Sequence, residues 1–140
     1  MIKTIVVRSN KSQEIIDITQ QTERAIRELG VSAGACLLYV PHTTAAITIQ
    51  ETADTAVKDD LLDALGRLAP RSLEYKHVEG NAHAHIQASL IGCSVIVPIE
   101  NRKLKLGTWQ GILFCELDGP RERNVWLIPL ASFEPSLVGP

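Results

Sequence analysis

Aromatic side chains are scarce in this chain: Phe, Tyr and Trp together make up 4% of its 140 residues. Sheets that bind nucleic acid stack bases on such rings, so that role is disfavoured. An excess of one charge is also missing. Fourteen Lys and Arg face sixteen Asp and Glu, for a net charge of −2, and no broad basic face is implied. No run approaches the roughly 18 apolar residues of a membrane-spanning helix. The N-terminal segment Met1 to Arg8 is too short and too regularly broken for a signal peptide. The three cysteines, Cys36, Cys93 and Cys115, lie far apart in apolar stretches and form no CxxC pair. They read as buried thiols in a reducing compartment, neither a disulfide framework nor a thiolate zinc site. A soluble cytoplasmic protein without nucleic-acid or membrane partners is expected.

What is present suits a packed core. Apolar residues reach 45% and charged residues 21%, with no repeat, low-complexity tract or linker. The length predicts one domain over 1–140. Strand patterns run over 2–8, 14–19, 35–40, 45–50, 94–99 and 124–130. Residues 104–106 and 112–117 read as a hairpin around Gly107 to Gly111, and Asn101-Arg102 and Asp118-Gly119-Pro120 as turns. Helical spacing runs from Thr19, a candidate N-cap, to Leu29, with Gly30 after it as a C-terminal stop. A second helix starts at Asp54 with Val57, Leu61, Leu65 and Leu68 as its apolar stripe. Residues 71–83 read as a loop and 84–91 as a short helix. The tally is seven to nine strands and two or three helices, an α+β class with antiparallel pairing toward the C-terminus.

The chemistry resides in the histidines. Three of the four, His77, His83 and His85, fall within nine residues, and His42 sits in Pro41-His42-Thr43-Thr44 at a strand end. Such groups could bind a divalent metal or exchange protons near neutral pH. Taken singly, His42 reads sooner as a cap on nearby carbonyls than as a site residue, and an isolated His-x-His segment as a solvated loop. His83 and His85 would point nearly opposite ways on a helix, so one of them reaches a shared site. Beside a helix N-terminus, His85 would also meet free N–H groups that favour an anion. Glu51, Asp60 and Glu79 are nearby candidates for metal ligand, histidine partner or general base, or plain surface charges. Trp109 and Gln110, bracketed by Gly107 and Gly111, offer a wall and a two-way hydrogen-bonding group. Arg121 and Arg123 suit phosphate, or simply pair with Glu122 and Glu116.

The blocks His42-Thr43-Thr44-Ala45-Ala46 through Glu51, Asp54 with Val57 and Asp60, Tyr75-Lys76-His77, Glu79-Gly80-Asn81, Ala84-His85-Ile86, Gly107 to Ile112 and Asp118-Gly119-Pro120-Arg121 occur in order along nearly the whole chain. Together they resemble the YjbQ-like family, also called the secondary thiamine-phosphate synthase enzyme family. The resemblance implies an α+β fold of bent antiparallel sheets, a homotrimer, and a pocket around His42, His77 and His85. It also implies weak thiamine-phosphate synthase activity, coupling hydroxymethylpyrimidine diphosphate to thiazole phosphate with release of pyrophosphate. Departures are His83 where an acidic residue is common, Gln87 where a basic one is frequent, Gln50 and Thr52 where asparagines are often seen, and Asn101-Arg102 in place of Asn-Gly.

On this basis His42, His77 and His85 are expected to hold one divalent metal. Zinc fits an all-nitrogen set, and magnesium fits a diphosphate substrate. Glu51 or Asp60 would orient a histidine or move a proton. Thr43, Gly80, Asn81, Thr108, Trp109, Gln110 and Arg121 would contact a small phosphorylated substrate. The alternatives are a metal-dependent hydrolase of a small phosphorylated or acyl substrate, with a carboxylate activating water, and a non-catalytic trimer that binds a metal or small anion.

Overall fold

The computed structural model describes residues 1–130, so 131–140 of the expected domain lie outside the described residues. Eight strands and three helices are found there: β1 (Lys3–Arg8), β2 (Glu14–Asp17), α1 (Thr19–Leu29), β3 (Gly34–Tyr39), β4 (Ala45–Glu51), α2 (Ala56–Leu68), α3 (Ala82–Ile91), β5 (Ser94–Glu100), β6 (Lys103–Leu104), β7 (Gln110–Glu116) and β8 (Glu122–Leu130). They form two curled antiparallel sheets, one ordered β1-β8-β3-β5-β6 and the other β2-β7-β4.

Side-chain alternation sets the layers. Along β7, Ile112 and Phe114 face the inner side of the five-stranded sheet, with Val125, Leu127, Cys36 and Leu38. Leu113 and Cys115 face the opposite way, onto Leu65 of α2 and Ala84 and Ala88 of α3. The three-stranded sheet is thus the middle layer, buried on both sides, with α2 and α3 outside it. Ala25 and Ile26 of α1 complete the core between the two sheets.

The expected hairpin between 104–106 and 112–117 does not form. β6 instead turns back on β5, with Ile99 opposite Leu104, while β7 lies between β2 and β4 in the other sheet. The run 112–115 has apolar residues at every position because both of its faces are covered. A two-residue turn joins β5 to β6, with Asn101 and Arg102 both at positive φ, 54° and 65°. That geometry matches the right-handed twist of the flanking strands.

Helix ends follow local chemistry. Asp17 Oδ1 accepts from both the N–H and the hydroxyl of Thr19, so Asp17 fills the capping role expected of Thr19. Thr19 Oγ1 instead accepts the Ile112 N–H. Gly30 stops α1 in the left-handed region, at φ 71°. The α2 stripe is shorter than its spacing predicts. Leu65 is buried, but Leu68 is 70% exposed because the chain leaves the sheet at Ala69. Gln87 of α3 donates to the carbonyls of Leu65 and Ala69 and so ties the end of α2 to α3. None of the helices among the described residues is long and apolar enough to cross a membrane.

Candidate functional site

A buried ion pair anchors the candidate site. Arg123 Nε donates to Glu116 Oε1 at 2.9 Å, and both side chains are shut off from solvent. Ser9 Oγ donates to the same carboxylate, and Arg123 also donates to Thr44 Oγ1 at 3.0 Å. Burial alone would raise the Glu116 carboxyl, but hydrogen bonds from Arg123, Ser9 and the Asp118 N–H outweigh it and hold it below the usual range. Asp118 repeats the pattern one turn on. Its burial is outweighed by the Asn81 amide, at 2.9 Å, and by the Arg121 guanidinium, and its carboxyl is also held low. These contacts fasten the β7–β8 turn to the β3–β4 turn, which carries His42, and to Asn81 at the start of α3.

His42 Nε2 accepts the Asn124 N–H at 2.9 Å. The ring is therefore unprotonated at Nε2 and carries its proton on Nδ1. Burial, followed by the nearby Arg123 charge, moves its pKa below the ordinary histidine value. His77 and His85 meet edge to face, with ring centroids 5.0 Å apart. They line a cleft of about 400 Å³ together with Tyr75, Lys76, Ala82 and Ile86. His85 also borders a second cleft of about 400 Å³, where it meets His42, Thr43, Ser89 and Cys93. His85 is thus the shared wall of two adjoining clefts. His83, two residues earlier on α3, turns inward and is 4% exposed, and among the described residues its Nε2 has no hydrogen-bond partner. Burial, then the charge of Arg71, lowers its pKa.

The expected three-imidazole metal centre is not assembled. Among the described residues no three His, Cys, Asp or Glu side chains are grouped so that they could hold a metal ion. His42 has its one lone-pair nitrogen engaged by a backbone amide and cannot also ligate as a neutral ring. Zinc or magnesium was expected from the histidine set, and that set is not gathered around one point among the described residues.

The other expected residues separate into groups. Thr43 stays beside His42. Gly80, at φ 83°, leads into Asn81, which is bound to Asp118, as is Arg121. Glu51 ends β4 opposite Gln110 in the register, and Thr52 N–H donates to the Trp109 carbonyl. Glu51, Thr108, Trp109 and Gln110 therefore gather at the end of the sheet away from His42, about 20 Å along β4 from its start. Gln110 Oε1 is taken by the Gly107 N–H, and Trp109 is 63% exposed. Asp60 is exposed on α2.

Sequence reasoning passed over Lys76 as a cleft residue and took all three cysteines as buried. Cys36 and Cys115 are buried, with thiols pushed up to about 11 and about 12 by burial, but Cys93 is exposed in the His42 cleft. Its place just after Gly92, between a helix and a strand, was the available signal.

A family model described as UPF0047 protein YjbQ-like matches residues 3–131. The chain belongs to the YjbQ-like UPF0047 family. UPF0047 protein YugU of Bacillus subtilis is 48% identical over 128 residues, covering 91% of this chain and 97% of that protein. A UPF0047 protein of Methanocaldococcus jannaschii is also 48% identical, over 86% of this chain and 88% of its own. The crystal structure of an uncharacterized conserved YjbQ/UPF0047 protein from Clostridium acetobutylicum aligns with a TM-score of 0.88 at 49% identity, covering 91% of this chain and 99% of that one. A second, from Sulfolobus solfataricus, is described as a YbjQ-like protein of unknown function; it aligns at 0.85 with 35% identity, covering 91% of this chain and 94% of that one. These findings overturn the expected thiamine-phosphate synthase. None of these UPF0047 relatives is described as a synthase, and the metal centre that this reading and its hydrolase alternative both required has no ligand set among the described residues.

Proposed function

We propose that this UPF0047 chain is an enzyme that binds a small phosphorylated molecule in the cleft beside His77 and His85, and that these imidazoles exchange a proton with it. The observation that carries the reading is the edge contact of two imidazoles, 5.0 Å apart, over a cleft that Lys76 and the first residue of α3 also line. A lysine ammonium and the free N–H groups at the start of a ten-residue helix both favour a phosphate. Imidazole is the side chain suited to proton transfer near neutral pH. His42, which lines the adjoining cleft and carries its proton on Nδ1, is proposed as a neutral donor for a developing negative charge. Asn81 and Arg121 act as scaffold on this reading, because the amide nitrogen of one and the guanidinium of the other bind Asp118.

The chain is further proposed to work as a homotrimer. The outer face of the five-stranded sheet presents Val6, Tyr39, Ile96 and Trp126 to solvent, a patch of the kind that marks protein contacts.

Titrating the protein with phenyl phosphate and following the histidine ring C–H resonances tests the site. Saturable shifts at His77 and His85 are expected, lost in His85→Ala and weakened about tenfold in Lys76→Ala, the usual scale for one charge-assisted contact. Shifts confined to other parts of the molecule, or binding unchanged in both variants, would refute the reading.

A further inference from the structure

We propose that the cleft between the end of α1 and the β5–β6 turn is a second, separate binding site, for a small soluble anion carrying several phosphate charges. The cleft has a volume of about 420 Å³ and is lined by Arg27, Gly30, Val31, Asn101, Arg102 and Lys103. Three cationic residues thus line one space in a chain whose net charge is −2, so a generally basic composition does not account for them. Among the described residues none of the three forms an ion pair, whereas Lys3, Arg8, Lys105, Arg121 and Arg123 each have a carboxylate partner. The C-terminal end of α1 attracts positive charge, but only about half an elementary charge is needed to complement a helix end. Three cations exceed that and repel one another until an anion joins them.

The turn itself gives an independent reason. Arg102 is held at φ 65° in the second loop position of a two-residue hairpin, where glycine is the residue that fits without cost. Its N–H donates to the Ser32 carbonyl at 3.0 Å, which fixes the turn against the loop after α1. An L side chain kept in this region is strained, and such strain concentrates where a ligand is clamped. Here it carries a guanidinium into the cleft. Guanidinium groups bind phosphate oxygens in pairs, and a lysine adds a point charge.

This place is remote from the histidines. Tyr39 pairs with Ser94, next to Cys93 and the His42 cleft, while Gly34 pairs with Ile99, two residues before Asn101. The two ends of β5 are about 20 Å apart.

Tripolyphosphate is the probe, with amide chemical shifts and thermal unfolding as readouts. Saturable shifts at Arg27, Asn101, Arg102 and Lys103, together with a raised Tm, are expected. Without ligand, Arg102→Gly should be no less stable than the wild type, because it removes the side chain from the left-handed position. Its affinity for tripolyphosphate at this cleft should be about tenfold weaker. His77→Ala should leave the shifts at this cleft unchanged, which separates this site from the histidine one. The proposal is overturned if the shifts fall only around His77 and His85, or if Arg102→Gly binds as tightly as wild type. Binding to phosphatidylglycerol vesicles without any response to tripolyphosphate would assign the cations to a lipid surface and overturn it as well.

Discussion

At the scale of single residues, Glu116 and Arg123 matter most for keeping the histidines in place. Both are buried; Arg123 also donates to Thr44, beside the turn that carries His42, and Glu116 accepts from Ser9 and from the N–H of Asp118, whose carboxylate holds Asn81. Removing one partner leaves the other charged and unpaired in the interior. Glu116→Gln should lower stability by about 3–5 kcal/mol, and the double variant Glu116→Leu/Arg123→Met by clearly less. Urea unfolding of the three proteins measures both effects; equal losses in the single and double variants would show that the pair is not the unit. The pH dependence follows from the same carboxylates. Because Glu116 and Asp118 titrate lower folded than unfolded, their contribution is complete above the unfolded carboxylate range, near pH 4, and is lost as pH falls through the folded values. The wild type should therefore lose stability below about pH 4, with a shallower acid limb in the double variant. The pairing of Arg123 with Glu116 was one of two readings open in the sequence. Spacing alone does not decide between an arginine aimed at a ligand and one folded back across a turn.

At the scale of elements, β7 packs tightly at Gly111 against Thr52, just after β4, and Thr19 at the start of α1. A Cβ on Gly111 would lie 2.3 Å from Thr52 Cγ2 and 3.0 Å from Thr19 Oγ1. Gly111→Ala should destabilise by about 1–3 kcal/mol, as overpacking does. Thr52→Ser, which deletes the nearest atom, should restore part of that loss in the double variant. Thermal unfolding reads the pair, and additive effects would mean that the contact is not the cause. Elements whose cues are local were legible in the sequence: the alternation of β1, the helix from Thr19 to Gly30, the apolar strand before Pro41. The partners of β6 and β7 were not, because apolar residues say that a strand is buried but not which sheet it joins. The same limit explains the site. His77 and His85 meet across a short loop, so their closeness could be anticipated. Glu51 is only nine positions from His42, yet a seven-residue strand running away from the turn puts it at the other end of the sheet.

For the whole molecule, the two ends of the five-stranded sheet have different chemistry, imidazoles at one and, among the described residues, cations without ion-pair partners at the other, and its outer face carries an apolar patch. Thr4, Val6, Asn124, Trp126, Leu37, Tyr39 and Ile96 share that face by register, and Tyr39 stacks on Trp126 with centroids 5.8 Å apart. Rings stacked on an open face keep much of their apolar area in water, a cost that a second copy would remove. If that face builds the proposed homotrimer, the wild type should sediment at three times the 15.3 kDa chain mass. Ile96→Asp/Trp126→Asp should then sediment as a single chain with unchanged far-ultraviolet circular dichroism, because both side chains lie outside the core. A wild type that sediments as one chain would remove the trimer. The same variant also locates the phosphate cleft. Its lining comes from 75–86 of one chain, so a dissociated but folded variant that still shows the phenyl phosphate shifts at His77 and His85 places the cleft wholly within a subunit. Loss of those shifts on dissociation alone would mean that a neighbouring copy completes it.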